Sequence, residues 1–323
     1  MRPLRFRPIL KRTLWGGNRI LPYKGLPAST IPIGECWELS GLPGSESVVA
    51  EGEFAGCTLA DLTDRFGASL VGTANYARFG REFPLLIKLI DAREDLSIQV
   101  HPDDALARRR HDKHGKSEMW YVLEARPDTT LLTGFSRPVT PEEFRRRVAD
   151  RTLVELLTQR TIAPGDVFYL PAGQVHSIGR GALIVEIQQP SDLSYRIYDF
   201  DRVDASGQPR ALHLEQACEA IDYRPSDGGG INYEPRADRE IPLLSTPHFT
   251  ASLYRPSRTL RCDWSAVDSF IALVVVAGEG TLRDNEGHEL PVAQGETLLI
   301  PASTQWIECT PRNGTFRFLT ARV

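Results

Sequence analysis

Two stretches of this chain, 130 residues apart, follow one pattern, and a repeat on that scale constrains the fold more tightly than any single motif. The first reads Gly165-Asp166-Val167-Phe168-Tyr169-Leu170-Pro171-Ala172-Gly173-Gln174-Val175-His176. The second reads Gly295-Glu296-Thr297-Leu298-Leu299-Ile300-Pro301-Ala302-Ser303-Thr304-Gln305-Trp306. In each, a glycine and an acidic residue lead into a short strand, and a proline turn then reverses the chain. A strand-forming run precedes each copy, residues 121–125 before the first and 274–278 before the second. The expected architecture is therefore all-β dominated, with one unit over 1–232 and a second over 233–323.

The copies differ at their last position. Pro171 fixes φ and Gly173 accepts positive φ, so the first hairpin delivers His176 to a defined place on a sheet face. That is what a metal ligand needs; the plainer reading is a turn followed by a half-buried histidine. In the second copy Trp306 stands in that place, with no partner ligands around it. Upstream, Leu96, Ile98 and Val100 alternate with Ser97, Gln99 and His101, so the polar three share one strand face. Gln99 and His101 would then offer two ligands to one ion, unless this is only the solvent face of an edge strand. Glu118 alternates in phase with Trp120 on a further strand.

Two charges interrupt apolar runs. Lys88 sits inside residues 83–90 (FPLLIKLI), a run whose length suits a buried strand. Its ammonium either reaches solvent or points inward at a ligand. Glu186 lies within residues 182–188 (ALIVEIQ), on the opposite face from Val185 and Ile187. Burial near a metal would tune it toward general-base duty, and the alternative is a partner for a ligand histidine or for Arg196.

The remainder is ordinary. The first thirty residues read as irregular, and Thr58 with Asp61 marks a helix start. Thr140-Pro141-Glu142-Glu143 opens a helix expected to reach about Gln159, an insertion in the first unit. The 38 Lys and Arg against 42 Asp and Glu are dispersed, which gives no support for a nucleic-acid partner, and Arg108-Arg109-Arg110 reads as a solvated surface. No run is long enough for a membrane span, the start lacks a signal-peptide core, and five scattered cysteines form no C-x-x-C; a cytoplasmic protein is expected. His111 and His114 read as residues of a surface loop.

A histidine-bearing strand followed by G-x5-P-x-G-x2-H resembles the cupin family, which implies two cupin/jelly-roll β-barrel modules with short helical insertions. The double arrangement resembles more narrowly the short bacterial type I phosphomannose isomerases. That resemblance rests on Trp15-Gly16-Gly17, Trp37-Glu38, residues 83–103, 116–124, 169–176 and 191–202 (SDLSYRIYDFDR). It implies one zinc ion held by Gln99, His101, Glu118 and His176, catalytic roles for Lys116 and Arg196, and places for Lys88 and Ser97 near a substrate phosphate. It further implies a phosphosugar substrate, and a monomer or weak homo-oligomer is expected.

Three neutral ligands and one carboxylate around zinc leave a charge of about +1 and an open position. An aldose–ketose interconversion passes through a cis-enediol(ate), whose oxygen charge zinc, Arg196 or Lys116 would stabilise. The competing reading is a non-catalytic double cupin that senses a sugar or phosphosugar.

Overall fold

The computed structural model describes residues 1–204 and 206–323. Its strands pair into three sheets of nine, seven and five strands, and no closed barrel is formed by their pairing among the described residues. The seven-stranded sheet is the middle layer, and its strand parity decides what each side chain meets. Ile87, Leu89, Met119, Tyr121, Val185 and Ile187 share one apolar core with Leu4, Ala272, Val274, Leu299 and Leu319 of the nine-stranded sheet. The opposite parity, Ile90, Trp120, Val122 and Ile184, packs against Leu131 and Ile178 of the five-stranded sheet. Covered on both faces, these strands carry continuous apolar runs rather than alternation. Lys88 and Glu186 break those runs on the face toward the five-stranded sheet, directly opposite each other across antiparallel strands Leu86–Asp91 and Leu183–Gln188.

The repeat occupies equivalent places. Val167–Leu170 pairs with Glu118–Glu124, and Thr297–Ile300 pairs with Ile271–Asp284. Gly165 (φ 96°) and Gly295 (φ 82°) both need the left-handed region that their lack of a Cβ permits. The second interior is filled by Leu273, Val275, Leu298, Ile300, Ile307, Phe316 and Phe318, while Trp306, on the opposite strand face from Ile307, lies half-buried under the Arg261 guanidinium.

Two expectations are corrected. The opening residues are not irregular: Leu4–Arg7 pairs with Thr297–Ile300 and with Val48–Val49, burying Leu4 and Phe6. The chain's first strand thus joins the sheet built mainly by its last eighty residues. The insertion helix stops early, spanning Pro141–Ala149 with its start capped by Thr140 as expected. Arg151 turns to φ 58°, a 3-10 turn covers Leu153–Leu156, and Leu157–Thr161 becomes a strand on Thr130–Phe135. Sheet pairing overrode the helical spacing there because an unpaired edge was available. The Thr58–Asp61 capping box is present on helix Leu59–Phe66. Among the described residues no helix is long and apolar enough to cross a membrane.

Candidate metal centre and the cavity beside it

The facing sheets converge their polar residues on one point. In the five-stranded sheet, Arg196, Gln99, His176 and Thr133 lie side by side in one row across four strands. From the middle sheet, Glu118 projects toward them, buried completely. One ligand atom each from His101, Glu118 and His176 falls within 4.8 Å of the others. His176 Nε2 is 3.3 Å from Glu118 Oε1, and His101 Nε2 is 3.4 Å from Glu118 Oε2.

Backbone carbonyls set both imidazoles. His101 Nδ1–H donates to the Leu193 carbonyl at 2.9 Å, and His176 Nδ1–H donates to that of Gln174 at 2.8 Å. A carbonyl can only accept, so each Nε2 is left as a lone-pair donor aimed into the cluster. Trp120 meets His176 edge-on at 5.4 Å, and the Gly173 amide donates to the His101 carbonyl at 2.8 Å, tying the motif turn to the other ligand strand. Burial pushes both histidines down, His101 to about 3 with help from the Lys116 charge. Burial alone would raise Glu118, but Lys116 and the two imidazoles hold it well below the usual carboxylate range. His176 Nε2 and Glu118 Oε1 are buried without a hydrogen-bond partner. Such orphans are costly unless something meets them, and two imidazoles with one carboxylate are a donor set that suits a divalent metal. The residues present therefore fit a metal ion, and Gln99 lies directly across from His176 in the strand register.

Neutral buried histidines make stability pH-dependent. Their folded pKa values lie below the unfolded value near 6.5, so the unfolded state binds more protons below that pH. In chelator-treated protein, stability is expected to fall as pH drops from about 6.5, by up to about 1.4 kcal/mol per pH unit per histidine. Urea midpoints at pH 7 and pH 5 read this directly; equal midpoints would mean that the imidazoles charge freely in the folded state.

A cavity of about 240 Å³ adjoins the cluster, lined among others by Glu35, Lys88, Ser97, Gln99, Lys116, Glu186 and Arg196. Lys116 Nζ lies 3.1 Å from His101 Nε2, bonds the Glu118 carboxylate and is 3.8 Å from Glu186 Oε1. Glu186 accepts from Trp120 Nε1–H at 3.1 Å and faces Lys88 Nζ at 3.0 Å. Burial and the neighbouring Glu118 raise its carboxyl above the ordinary range. Lys88 in turn lies 3.7 Å from Glu35; burial would lower it, but the two carboxylates outweigh that and keep it a cation. Its charge is already matched, which argues against the phosphate contact expected for it, because a phosphate would have to displace Glu186 or Glu35. Arg196 is different. Its guanidinium donates to the Ala211 carbonyl at 2.8 Å, its Nε has no partner, and no carboxylate lies within 4.0 Å among the described residues.

Sequence reasoning missed two cavity groups, Glu35 and Arg210, and one residue that holds a cavity group, Trp120. Glu35 was legible only as part of a strand, although a glutamate two before Trp37 on the same face is a signal. Trp120 was read for its phase, not as the donor that fixes Glu186. Arg210, clamped by Asp199 at 2.7 and 2.6 Å, reaches the cavity from a loop whose course no local pattern announces. His111 and His114 stand away from the cluster, bonded to Tyr195 and Glu82. Arg109 and Arg110 share Glu219 at the surface.

Residues 4–136 match the model of the phosphomannose isomerase type I catalytic domain. Mannose-6-phosphate isomerase ManA of Bacillus subtilis is 34% identical over 303 residues, 93% of each chain, and the mannose-6-phosphate isomerase of Streptococcus mutans is 33% identical over 93% of this chain and 92% of its own. The solved mannose 6-phosphate isomerase of Bacillus subtilis superposes with a TM-score of 0.89 at 29% identity, covering both chains completely. Identity of this extent across nearly the full length, on a shared fold, leaves one conclusion: the chain belongs to the type I phosphomannose isomerase family.

Proposed function

We propose that the chain interconverts mannose 6-phosphate and fructose 6-phosphate with one zinc ion held by Gln99, His101, Glu118 and His176. The single observation that carries the metal is the pair of buried, unpartnered donors, His176 Nε2 and Glu118 Oε1, aimed at one point. When bound, zinc supplies a Lewis acid and a charge that polarises a sugar oxygen.

The chain's own residues account for the proton chemistry. Glu186 is the general base: it takes the carbon proton from C2 of the aldose and returns it to C1, while the O2 hydroxyl proton passes to O1, to give the ketose. Its raised carboxyl pKa brings it nearer the working pH, and Trp120 and Lys88 hold its two oxygens in place. Arg196, next in the row to Gln99, is the cavity cation without a carboxylate partner among the described residues and so is free to meet oxygen charge that develops in the cis-enediol(ate). Lys116, between His101 and Glu186, meets the same oxygens from the other sheet. Lys88 is assigned to holding Glu186, and Ser97 remains a cavity hydroxyl available to the phosphosugar. Between the two sheets Glu186 and Lys116 are buried, which strengthens their charge interactions.

The test couples fructose 6-phosphate formation to metal content. Chelation is expected to remove about one zinc per chain and the activity together, both returning with added zinc; full turnover in metal-free protein would overturn the proposal. Arg196→Ala is expected to retain zinc and lose about 10²–10³-fold in kcat, the scale of removing one oxyanion donor. An unchanged kcat would leave Arg196 a structural residue.

A further inference from the structure

A second cleft lies apart from the metal cavity and shares none of its lining residues. It encloses about 380 Å³ and is lined by Pro235, Arg255, Ser257, Gly314, Phe316 and Arg317, among others, with no acidic residue. Strand Thr250–Tyr254 pairs antiparallel with strand Trp306–Arg322, Tyr254 opposite Phe318. Continued by one residue, that register sets Arg255 opposite Arg317. Like charges directly opposite one another on a sheet are destabilising unless something offsets them.

Nothing among the described residues does so. Neither guanidinium has a carboxylate within 4.0 Å among the described residues, and neither side chain donates a hydrogen bond to protein there. The acids nearby are committed elsewhere. Asp238 bonds Ser257 at 2.7 and 2.8 Å and faces Arg258 at 3.4 Å, while Glu279 faces Arg312 and bonds Asn313. Both arginines are half-buried, and their charges act together on the phenols of Tyr121 and Tyr233, pulling each down against the upward push of burial. This is a concave, acid-free pocket with paired planar donors, inside a chain whose net charge is −4.

We propose that the Arg255–Arg317 cleft binds a phosphate dianion, either inorganic phosphate or the phosphate of a small ester, as a site separate from the catalytic cavity. Two guanidinium forks match the oxygens of a phosphate, and a dianion relieves the repulsion between them. Bound there, it clasps the last strand of the nine-stranded sheet to the strand that enters it.

Calorimetric titration of the full-length, zinc-loaded protein with inorganic phosphate, and separately with a hexose 6-phosphate, tests this. Arg255→Gln and Arg317→Gln are each expected to reduce the phosphates bound per chain by one, or to weaken that site at least tenfold, with isomerase activity unchanged. Loss in both titrations identifies the dianion alone as the ligand; loss only with the ester adds the sugar to the requirement. Without phosphate, Arg317→Gln is expected to be as thermostable as the parent or more so, while the phosphate-dependent rise in Tm disappears. Unchanged stoichiometry and unchanged affinity in both variants, or an equal Tm rise with chloride at matched ionic strength, would overturn the site.

Discussion

Replacing His176 by alanine is expected to abolish stoichiometric zinc binding and, with it, turnover of mannose 6-phosphate. The imidazole is fully buried, its Nδ1 is locked onto the Gln174 carbonyl, and its Nε2 has no other partner. Outer partners of metal ligands already cost 10–100-fold in metal affinity, so loss of a ligand is expected to cost at least about 100-fold. The fold should persist, because the second copy of the motif carries Trp306 at this place on the same scaffold. Metal analysis of the purified variant, beside His111→Ala and His114→Ala, decides it. Those two histidines bond Tyr195 and Glu82 away from the cluster, and their variants should keep their zinc. One zinc per chain at unchanged affinity in His176→Ala would show the ligand set to be wrong.

Lys88→Met is expected to destabilise the protein by about 3–5 kcal/mol at pH 8, the cost of breaking a buried ion pair from one side. Glu186 would be left buried beside Glu35 and Glu118 with its nearest cation gone. Its carboxyl pKa, already raised, should rise further, so the native state of the variant binds a proton that the unfolded state binds only near pH 4–5. The deficit against the parent therefore shrinks as pH falls toward about 5.5, and urea midpoints at the two pH values measure it. Lys88→Met with Glu186→Leu should recover most of the stability and none of the activity. A deficit below about 1 kcal/mol at pH 8 would place the pair in solvent rather than in the interface.

Much of the site could be read along the chain because sheets have a strict period of two. Gln99 with His101, and Glu118 with Trp120, share faces by parity alone; His101 and Glu118 meet His176 in the candidate cluster, Gln99 lines the adjoining cavity and Trp120 packs on His176. Lys88 and Glu186 stood out as charges inside apolar runs, yet neither run says that the two are opposite each other. That follows from the register of two strands almost a hundred residues apart. The insertion helix failed for a related reason. Residues 150–159 carry helical spacing, but the free edge of strand Thr130–Phe135 offered ladder bonds that no window of sequence reports. The first strand, Leu4–Arg7, alternates plainly, but its partner lies nearly three hundred residues away, so its surroundings read as loop.

By itself the sequence determined the repeated β unit, the family and the residue types able to hold a metal, because periodicity, turn chemistry and ligand spacing are local properties. Only the tertiary structure decided which charges neutralise which. Lys88 is paired with Glu186 and Glu35, whereas Arg196 has no carboxylate partner among the described residues. Arg255 and Arg317 line one cleft, a juxtaposition that neither residue signals alone. The physical reason is the same in each case: the effect of a charge depends on distance and burial, and both are fixed by contacts between strands remote in the chain.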